Sequence, residues 1–186
     1  MTKKMLLGVV GNNGSGKSTF CDYLASKGFM IVSLSDVIRE HLKEKKLEPT
    51  RDNLTEQANQ LKQTNGLTYC AEKTFESVNQ AKENKAIFDS IRHPNEVKYL
   101  KDKNVVLIAI KTSLEQRYNR IKQRQRQTDF VSYDTFKSQD EREASGASFG
   151  QSINQCLALC EHEIVNDSTL ESFHSKIDLL LEKLKS

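Results

Sequence analysis

The sequence has no long hydrophobic segment, few prolines and no strong excess of charge of either sign. No apolar run approaches the roughly 20 residues that a membrane-spanning helix requires, and the stretch from Met5 to Val10 is too short for a signal peptide. The 28 basic and 25 acidic residues nearly cancel, so charge gives no reason to expect nucleic acid as a partner. With two prolines in 186 residues, hinged domains are not indicated. We expect one cytoplasmic domain without membrane contact, either a monomer or a small homo-oligomer.

The four cysteines, at positions 21, 70, 156 and 160, form no C-x-x-C pair. Cys156 and Cys160 lie on one face of a predicted helix, with His162 nearby. A zinc site would ordinarily draw further ligands from a second pair of similar spacing. Because free cysteine is among the most often buried residues, these thiols are predicted to pack a helix and not to bind metal.

Short apolar runs rich in valine and isoleucine alternate with longer helix-like segments. Continuous runs of this kind are typical of parallel strands that are covered on both faces. The predicted strands are Leu6–Val10, Phe29–Leu34, Ala86–Phe88, Val105–Ile110 and Glu163–Val165. The predicted helices are Lys17–Lys27, Asp36–Lys46, about 52–63, about 67–84, Pro94–Lys101, 113–126, 132–145 and Ser168–Leu184. This alternation, with right-handed crossovers, predicts an α/β fold with a five-stranded parallel sheet flanked by helices.

A glycine-rich motif, G-x-x-x-x-G-K-S, directly follows the first predicted strand and leads into the first helix. Its glycines allow backbone N–H groups to surround phosphate oxygens, and the helix adds the positive end of its dipole. Lys17 is predicted to reach the β- and γ-phosphates, and Ser18 to bind Mg²⁺. The motif predicts a P-loop NTPase with three layers, in which the ATP-binding residues of this loop are Gly11, Asn13, Gly14, Ser15, Gly16, Lys17, Ser18 and Thr19.

The pattern Asp-x-x-Arg follows both the second and the third predicted strands: Asp36 and Arg39 in "SDVIRE", Asp89 and Arg92 in "DSIRHP". Open α/β sheets bind ligands at the carboxyl ends of their strands, so the two arginines are expected to bind a second anion. Asp89 is predicted to hold Mg²⁺ together with Ser18, and Asp36 to contact the acceptor or orient Arg39. One copy alone would fit a helix cap and a solvated arginine, whereas two copies beside a phosphate loop favour ligand binding.

Motifs of two other classes of P-loop protein are missing. The guanine-specific sequence N-K-x-D does not occur, since Asn104 is followed by Val105 and the segment Asn166-Asp167-Ser168 lacks the lysine. No predicted strand ends in the paired acids that hydrolytic ATPases commonly carry. These absences favour a small-molecule kinase over a switch GTPase or a motor ATPase.

The segments "GNNGSGKST", "SDVIRE" and "DSIR" resemble the phosphate loop, the acceptor-binding D-M-L-R and the D-G-F-x-R region of nucleoside monophosphate kinases such as adenylate kinase. Arg92 comes one residue earlier than its counterpart there. The segment "HEIVNDSTLESFHSKIDLLLEKL" resembles the closing strand, adenine-contacting loop and last helix of dephospho-CoA kinases, which implies that Asn166 contacts ATP. The spacing of acid and arginine after the second strand is one residue longer in those enzymes, which argues against their activity here. The order of motifs over nearly the whole chain resembles an uncharacterised, largely archaeal group of nucleotide-kinase-like proteins.

The resemblance to nucleoside monophosphate kinases implies two helical insertions, one at 36–84 that binds the acceptor and one at 117–146 that forms a lid. Lid arginines in such kinases close over the transferring phosphoryl group. Arg124, Arg126 and Arg142 are therefore expected to join Lys17, Asp89 and Arg92 in catalysis, and the last ATP-binding candidate is Arg120. A solvated helix face and an RNA-binding patch are the alternatives, although the patch contains only Tyr118 as a base-stacking aromatic.

The expected activity is Mg²⁺- and ATP-dependent phosphoryl transfer to a small phosphorylated acceptor. A (deoxy)nucleoside monophosphate, converted to the diphosphate, is the favoured acceptor. Two alternatives stay open. The first is phosphorylation of a hydroxyl group, as in dephospho-CoA kinase. The second is a regulatory module that binds ATP and hydrolyses it slowly.

Overall fold

The computed structural model describes residues 4–124, 131–145 and 152–185. Its strands are β1 (Met5–Val10), β2 (Met30–Ser33), β3 (Lys85–Asp89), β4 (Val106–Lys111) and β5 (His162–Val165). They form one parallel sheet in the order β2-β3-β1-β4-β5. The predicted α/β fold, with five parallel strands between layers of helices, is confirmed.

The helices match the predicted segments closely, except that the helix predicted to carry both Cys156 and Cys160 ends at Ala158, so Cys160 lies beyond it. They are α1 (Lys17–Ser26), α2 (Leu34–Glu44), α3 (Arg51–Asn65), α4 (Tyr69–Gln80), α5 (Pro94–Asp102), α6 (Leu114–Arg124), α7 (Tyr133–Ser145), α8 (Ile153–Ala158) and α9 (Leu170–Lys185). Helix α2 begins two residues before the predicted Asp36, because the chain turns directly after β2 and Leu34 is buried in the core. Helix α5 begins at Pro94, where a missing N–H is harmless.

The sheet is covered on both faces, as its continuous apolar strands predict. In β1, Leu6 and Val10 face one cluster of buried side chains, while Leu7 and Val9 face the other. The first cluster takes side chains from α2, α4, α5 and α8, and the second from α1 and α9. Cys21, Cys70 and Cys156 are buried as free thiols within these clusters, which confirms the packing role predicted for Cys156; Cys160 is only partly buried.

The register of the central strands brings three chain segments to one edge of the sheet. Gly8 pairs with Phe88, and Ser33 pairs with Asp89. The loop after β1 therefore leaves the sheet beside the ends of β2 and β3. Within the described ranges, no helix is long and apolar enough to cross a membrane, and no three His, Cys, Asp or Glu residues are grouped as metal ligands.

Candidate active site

The glycine-rich loop between β1 and α1 is held in a conformation that only glycine adopts readily. Gly14 and Gly16 have φ angles of +80° and +106°. A Cβ at Gly14 would lie 2.8 Å from the carbonyl oxygen of Arg117, and one at Gly16 would collide with the Asn166 side chain. The Lys17 ammonium group turns back over the loop and donates to the carbonyl oxygens of Gly11 and Asn12, at 2.7 and 3.1 Å.

One carbonyl group in this loop links the chain segments that follow β1, β4 and β5. The carbonyl oxygen of Ser15 accepts hydrogen bonds from Asn166 Nδ2 at 2.9 Å, Thr112 Oγ1 at 3.0 Å and Arg120 Nη1 at 3.4 Å. Arg120 Nη2 also donates to the Asn166 carbonyl oxygen at 3.0 Å. Burial lowers the pKa of Arg120, and the Asp167 carboxylate opposes this shift. The network fixes the loops after β4 and β5 against the phosphate loop.

A second network connects the phosphate loop to α6 and α7. Arg117 is almost fully buried and donates two hydrogen bonds to the carboxylate of Asp140, at 2.6 and 2.8 Å. Its Nη1 also donates to the carbonyl oxygen of Asn13 at 3.3 Å, and Asn12 Nδ2 donates to Asp140 Oδ1 at 3.2 Å. Bidentate pairs of this kind are among the stronger polar contacts in proteins. Asp140 therefore holds α7 close to the loop.

The end of β3 carries a carboxylate with an unfilled hydrogen-bonding position. Asp89 Oδ1 is buried and has no hydrogen-bond partner within the described residues, while Oδ2 accepts only a long contact of 3.5 Å from Ser90. Ser33 Oγ donates to Ser90 Oγ at 2.9 Å, which joins the ends of β2 and β3. Ser90 adopts a left-handed φ of +63°, a conformation that is uncommon outside glycine and frequent at functional sites.

The charges of Asp89 and Lys17 act on the same buried group. Burial, with smaller contributions from the Asp89 and Asp22 carboxylates, raises the pKa of the Cys21 thiol to about 12, and the Lys17 ammonium opposes this rise. Ser18 is exposed on the first turn of α1. A buried carboxylate oxygen without a partner among the described residues and an exposed hydroxyl on the first turn of α1 are donors that suit Mg²⁺ bound partly through water. The residues present therefore fit the metal that the sequence predicts.

The first predicted acceptor motif lies on α2. Arg39 and Asp36 are exposed on its surface, and Arg39 Nε lies 4.0 Å from Asp36 Oδ1. Ser35, at the start of the same helix, shares a 2.9 Å hydrogen bond with Ser33 at the end of β2. The hydroxyl groups thus link the start of α2 to the strand ends that carry Asp89.

The second motif continues into α5. Arg92 has an exposed side chain, while its backbone is held on both sides. Its N–H donates to Glu96 Oε2 at 3.0 Å, and its carbonyl oxygen accepts a 3.1 Å hydrogen bond from the N–H of Ser152. Burial raises the pKa of Glu96, against the opposing effects of the Lys62 ammonium and the backbone N–H groups of Arg92 and His93.

The structure brings the loop, Asp36, Asp89 and Asn166 to one edge of the sheet, but it does not describe every predicted lid arginine. Arg124 is exposed at the end of α6. Arg126 lies outside the described residues, and so does the side chain of Arg142 in α7. The catalytic roles of these three arginines stay predictions.

Comparison with known proteins agrees with this geometry. A model of the family described as "AAA domain" matches residues 7–144, three quarters of the chain. The chain belongs to this family. It is also 31% identical over 182 residues to a UPF0200 protein of Methanoregula boonei, with 97% of each chain covered, so it belongs to the UPF0200 group as well.

Two solved structures show the fold that this family member shares. Shikimate kinase from Aquifex aeolicus superposes with a TM-score of 0.54 at 15% identity, covering 97% of this chain and 98% of the other. Dephospho-CoA kinase from Campylobacter jejuni has a TM-score of 0.57 at 19% identity, covering 96% of both chains. At these identities the likeness establishes a P-loop kinase-like fold and no acceptor.

Several residues at the site of this AAA-domain protein were not anticipated from the sequence. Asp140 and Thr112 carry no recognisable motif, and their contacts to the loop depend on the packing of α6, α7 and β4. Arg117 was seen only as part of a basic patch. Glu96 could have been found, because a glutamate three residues after a helix cap, with proline at the first helical position, is a capping-box signature.

We predict that Arg117→Met destabilises this protein by about 2 kcal/mol, less than the roughly 3–5 kcal/mol of a fully buried pair, since the Asp140 side chain keeps 15% exposure. The methionine retains the packing of the stem and removes only the charged hydrogen bonds. Urea unfolding followed by circular dichroism measures the change. Lys27→Met, which breaks an exposed pair with Asp178 at 2.8 Å, is the control and should leave the midpoint nearly unchanged. Equal midpoint shifts in the two variants would contradict the role given to Arg117.

Proposed function

We propose that this protein transfers the γ-phosphoryl group of Mg-ATP to a small phosphorylated acceptor, most favourably a (deoxy)nucleoside monophosphate. The observation that carries the proposal is the common edge of β1, β3 and β2, where Ser33 pairs with Asp89 and Gly8 pairs with Phe88. The phosphate loop, the carboxylate of Asp89 and the start of the helix that carries Arg39 lie at this edge. Both substrates of a kinase need such a shared edge, because the two phosphates must approach in line.

In this proposal the phosphate loop binds the triphosphate of ATP. Its backbone N–H groups and the start of α1 surround the phosphates, and Lys17 leaves the carbonyl oxygens of Gly11 and Asn12 to pair with the β- and γ-phosphates. The loops after β4 and β5, joined by Arg120 and Asn166, form the wall for the nucleoside. This assignment gives Arg120 and Asn166 a role in binding the donor, not in the transfer itself.

Ser18 and Asp89 would hold Mg²⁺, and Asp89 offers for this a buried Oδ1 that has no hydrogen-bond partner among the described residues. When bound, the metal neutralises charge on the β- and γ-phosphates. The chain supplies the rest of the positive charge through Lys17 and the arginines. Asp89 therefore works beside the phosphate loop and needs no proton transfer.

Arg39 and Arg92 would bind the acceptor phosphate. Arginine suits this task because its planar guanidinium group grips phosphate oxygens in pairs and stays charged. Residues 36–84 would form the acceptor-binding insertion, with Asp36 orienting Arg39 across the present 4.0 Å contact. A phosphate acceptor is ionised near neutral pH, so no general base is required.

Residues 117–146 would act as the lid, with Arg124, Arg126 and Arg142 as the residues that neutralise the transferring phosphoryl group. The Arg117–Asp140 pair, which ties α7 to the loop, supports closure over this edge. A closed lid excludes water and so suppresses hydrolysis of ATP in the absence of acceptor.

Two alternatives follow from other observations. The first is a hydroxyl acceptor, which the resemblance of segment 162–184 to dephospho-CoA kinases supports and for which Asp36 would be the base. The AAA-domain match admits a regulatory module that hydrolyses ATP slowly. We prefer the kinase, since a module without an acceptor has no evident use for both Arg39 and Arg92.

We predict that at least one ribo- or deoxynucleoside monophosphate stimulates ADP formation from Mg-ATP. A coupled assay screens these acceptors alongside dephospho-CoA and shikimate, and Lys17→Ala, which should lose at least about 100-fold in rate, shows that turnover depends on the loop. Stimulation by dephospho-CoA or shikimate alone would move the acceptor to the hydroxyl class. ATP hydrolysis that no acceptor changes would favour the regulatory module.

We predict that Arg39→Ala raises the KM for the acceptor by roughly ten- to a hundredfold, the effect of removing a charge-assisted contact, and leaves the KM for ATP unchanged. Initial rates over a grid of both substrates separate the two constants. Lys98→Ala, which removes one exposed positive charge from the surface of α5, is the matched control and should change neither constant. An equal rise in both KM values for Arg39→Ala would place Arg39 outside the acceptor site.

A further inference from the structure

A buried charged cluster lies behind the loop that carries Arg92. Lys62, His93 and Glu96 are 8%, 8% and 3% exposed, respectively. Lys62 comes from α3, whereas His93 and Glu96 belong to the start of α5, so the cluster joins two segments that are distant in sequence. Buried charges are rare in proteins unless a partner compensates them. This cluster includes neither the residues of the phosphate loop nor Asp89.

One oxygen of Glu96 controls the backbone around Arg92. Glu96 Oε2 accepts hydrogen bonds from the N–H groups of both Arg92 and His93, each at 3.0 Å. His93 Nδ1 in turn accepts a hydrogen bond from the N–H of Asn95 at 3.2 Å, which completes the cap of α5. Together with the bond from Ser152, these contacts fix the direction in which the Arg92 side chain leaves the loop.

The other oxygen of Glu96 faces α3. Lys62 Nζ lies 3.8 Å from Glu96 Oε1, and the two side chains are 8% and 4% exposed. This distance is too long for a good hydrogen bond, so the contact acts through charge. If Glu96 served only to cap α5, its Oε2 would be sufficient and no neighbouring ammonium group would be needed. The ammonium group from α3 opposes the penalty that burial places on the charged form of this carboxylate.

We propose that Lys62 and Glu96 form a positioning pair, through which the position of α3 determines the position of Arg92. The proposal rests on the proposed function, in which residues 36–84 and Arg92 contact the same acceptor. A shift of α3 would weaken the charge compensation of Glu96, and the backbone at Arg92 and His93 would loosen in turn. Acceptor binding to α2–α4 and phosphate contact by Arg92 are thereby made interdependent.

The neutral double variant K62M/E96Q separates positioning from stability. It leaves no unpaired buried charge, and the amide oxygen of the glutamine that replaces Glu96 still accepts from the two backbone N–H groups. We expect K62M and E96Q singly to lower the urea midpoint and the double variant to recover most of it. The KM for the acceptor should nevertheless stay raised roughly tenfold in the double variant, because the link to α3 is lost, while the KM for ATP is unchanged.

The control is the pair Lys101–Glu161 at the opposite edge of the sheet, which repeats the contacts of one carboxylate to a backbone N–H and to a lysine but is more exposed, at 35% for each side chain. Glu161 Oε2 accepts from the N–H of Leu107 at 2.8 Å, and Oε1 lies 3.1 Å from Lys101 Nζ. The double variant K101M/E161Q should leave both KM values as in the wild type. A wild-type acceptor KM in K62M/E96Q would overturn the positioning role and leave the pair merely structural.

Amide hydrogen exchange tests the pair without reference to catalysis. K62M keeps every capping residue of α5, yet we expect the amides of Arg92 and His93 to exchange at least roughly tenfold faster than in the wild type. Unchanged exchange there would also overturn the proposal. If no acceptor stimulates the wild type, the proposed function fails, and the exchange result still decides whether α3 controls the backbone at Arg92.

Discussion

The parallel register of β2, β3 and β1 is the constraint on which the whole site depends. Since Ser33 pairs with Asp89 and Gly8 with Phe88, the chain leaves all three strands at the same edge. A different functional element follows or ends each strand: the phosphate loop follows β1, the carboxylate of Asp89 ends β3, and the helix that carries Arg39 follows β2. Side chains that are more than 50 residues apart in sequence become neighbours because these strands are parallel and pair in this register.

Charged contacts from the helical segments then set the shape of this edge. Arg117 and Asp140 hold α7 against the phosphate loop, and Lys62 and Glu96 hold α3 against the loop that carries Arg92. Both pairs join a helix outside the core to backbone groups at the site. Breaking either pair leaves a charge poorly compensated, so such contacts restrict how the segments can sit. In the proposed kinase, residues remote from the phosphates would influence both substrates through these contacts.

Local patterns predicted the fold well, and the site only in part. The strands are continuous apolar runs and the phosphate loop is a contiguous motif, so both could be read directly from the sequence. The start of α2 was misplaced because Leu34, taken for the end of a strand, is already helical and packs into the core. Asp140 and Lys62 could not be found, since their partners are 23 and 34 positions away and only tertiary packing brings them together. A single charged side chain that tertiary packing buries carries no periodic signal comparable to that of an apolar core.

In the proposed kinase, one edge of the sheet holds a triphosphate and an acceptor phosphate tail to tail. Calorimetric titration with adenosine joined through five phosphates to each nucleoside in turn tests this arrangement. At least one such compound should bind about 100-fold more tightly than ATP, because its second half is held at high effective concentration. This gain should disappear when Arg39 is replaced by alanine. Affinities that equal that of ATP for every compound would contradict the shared edge.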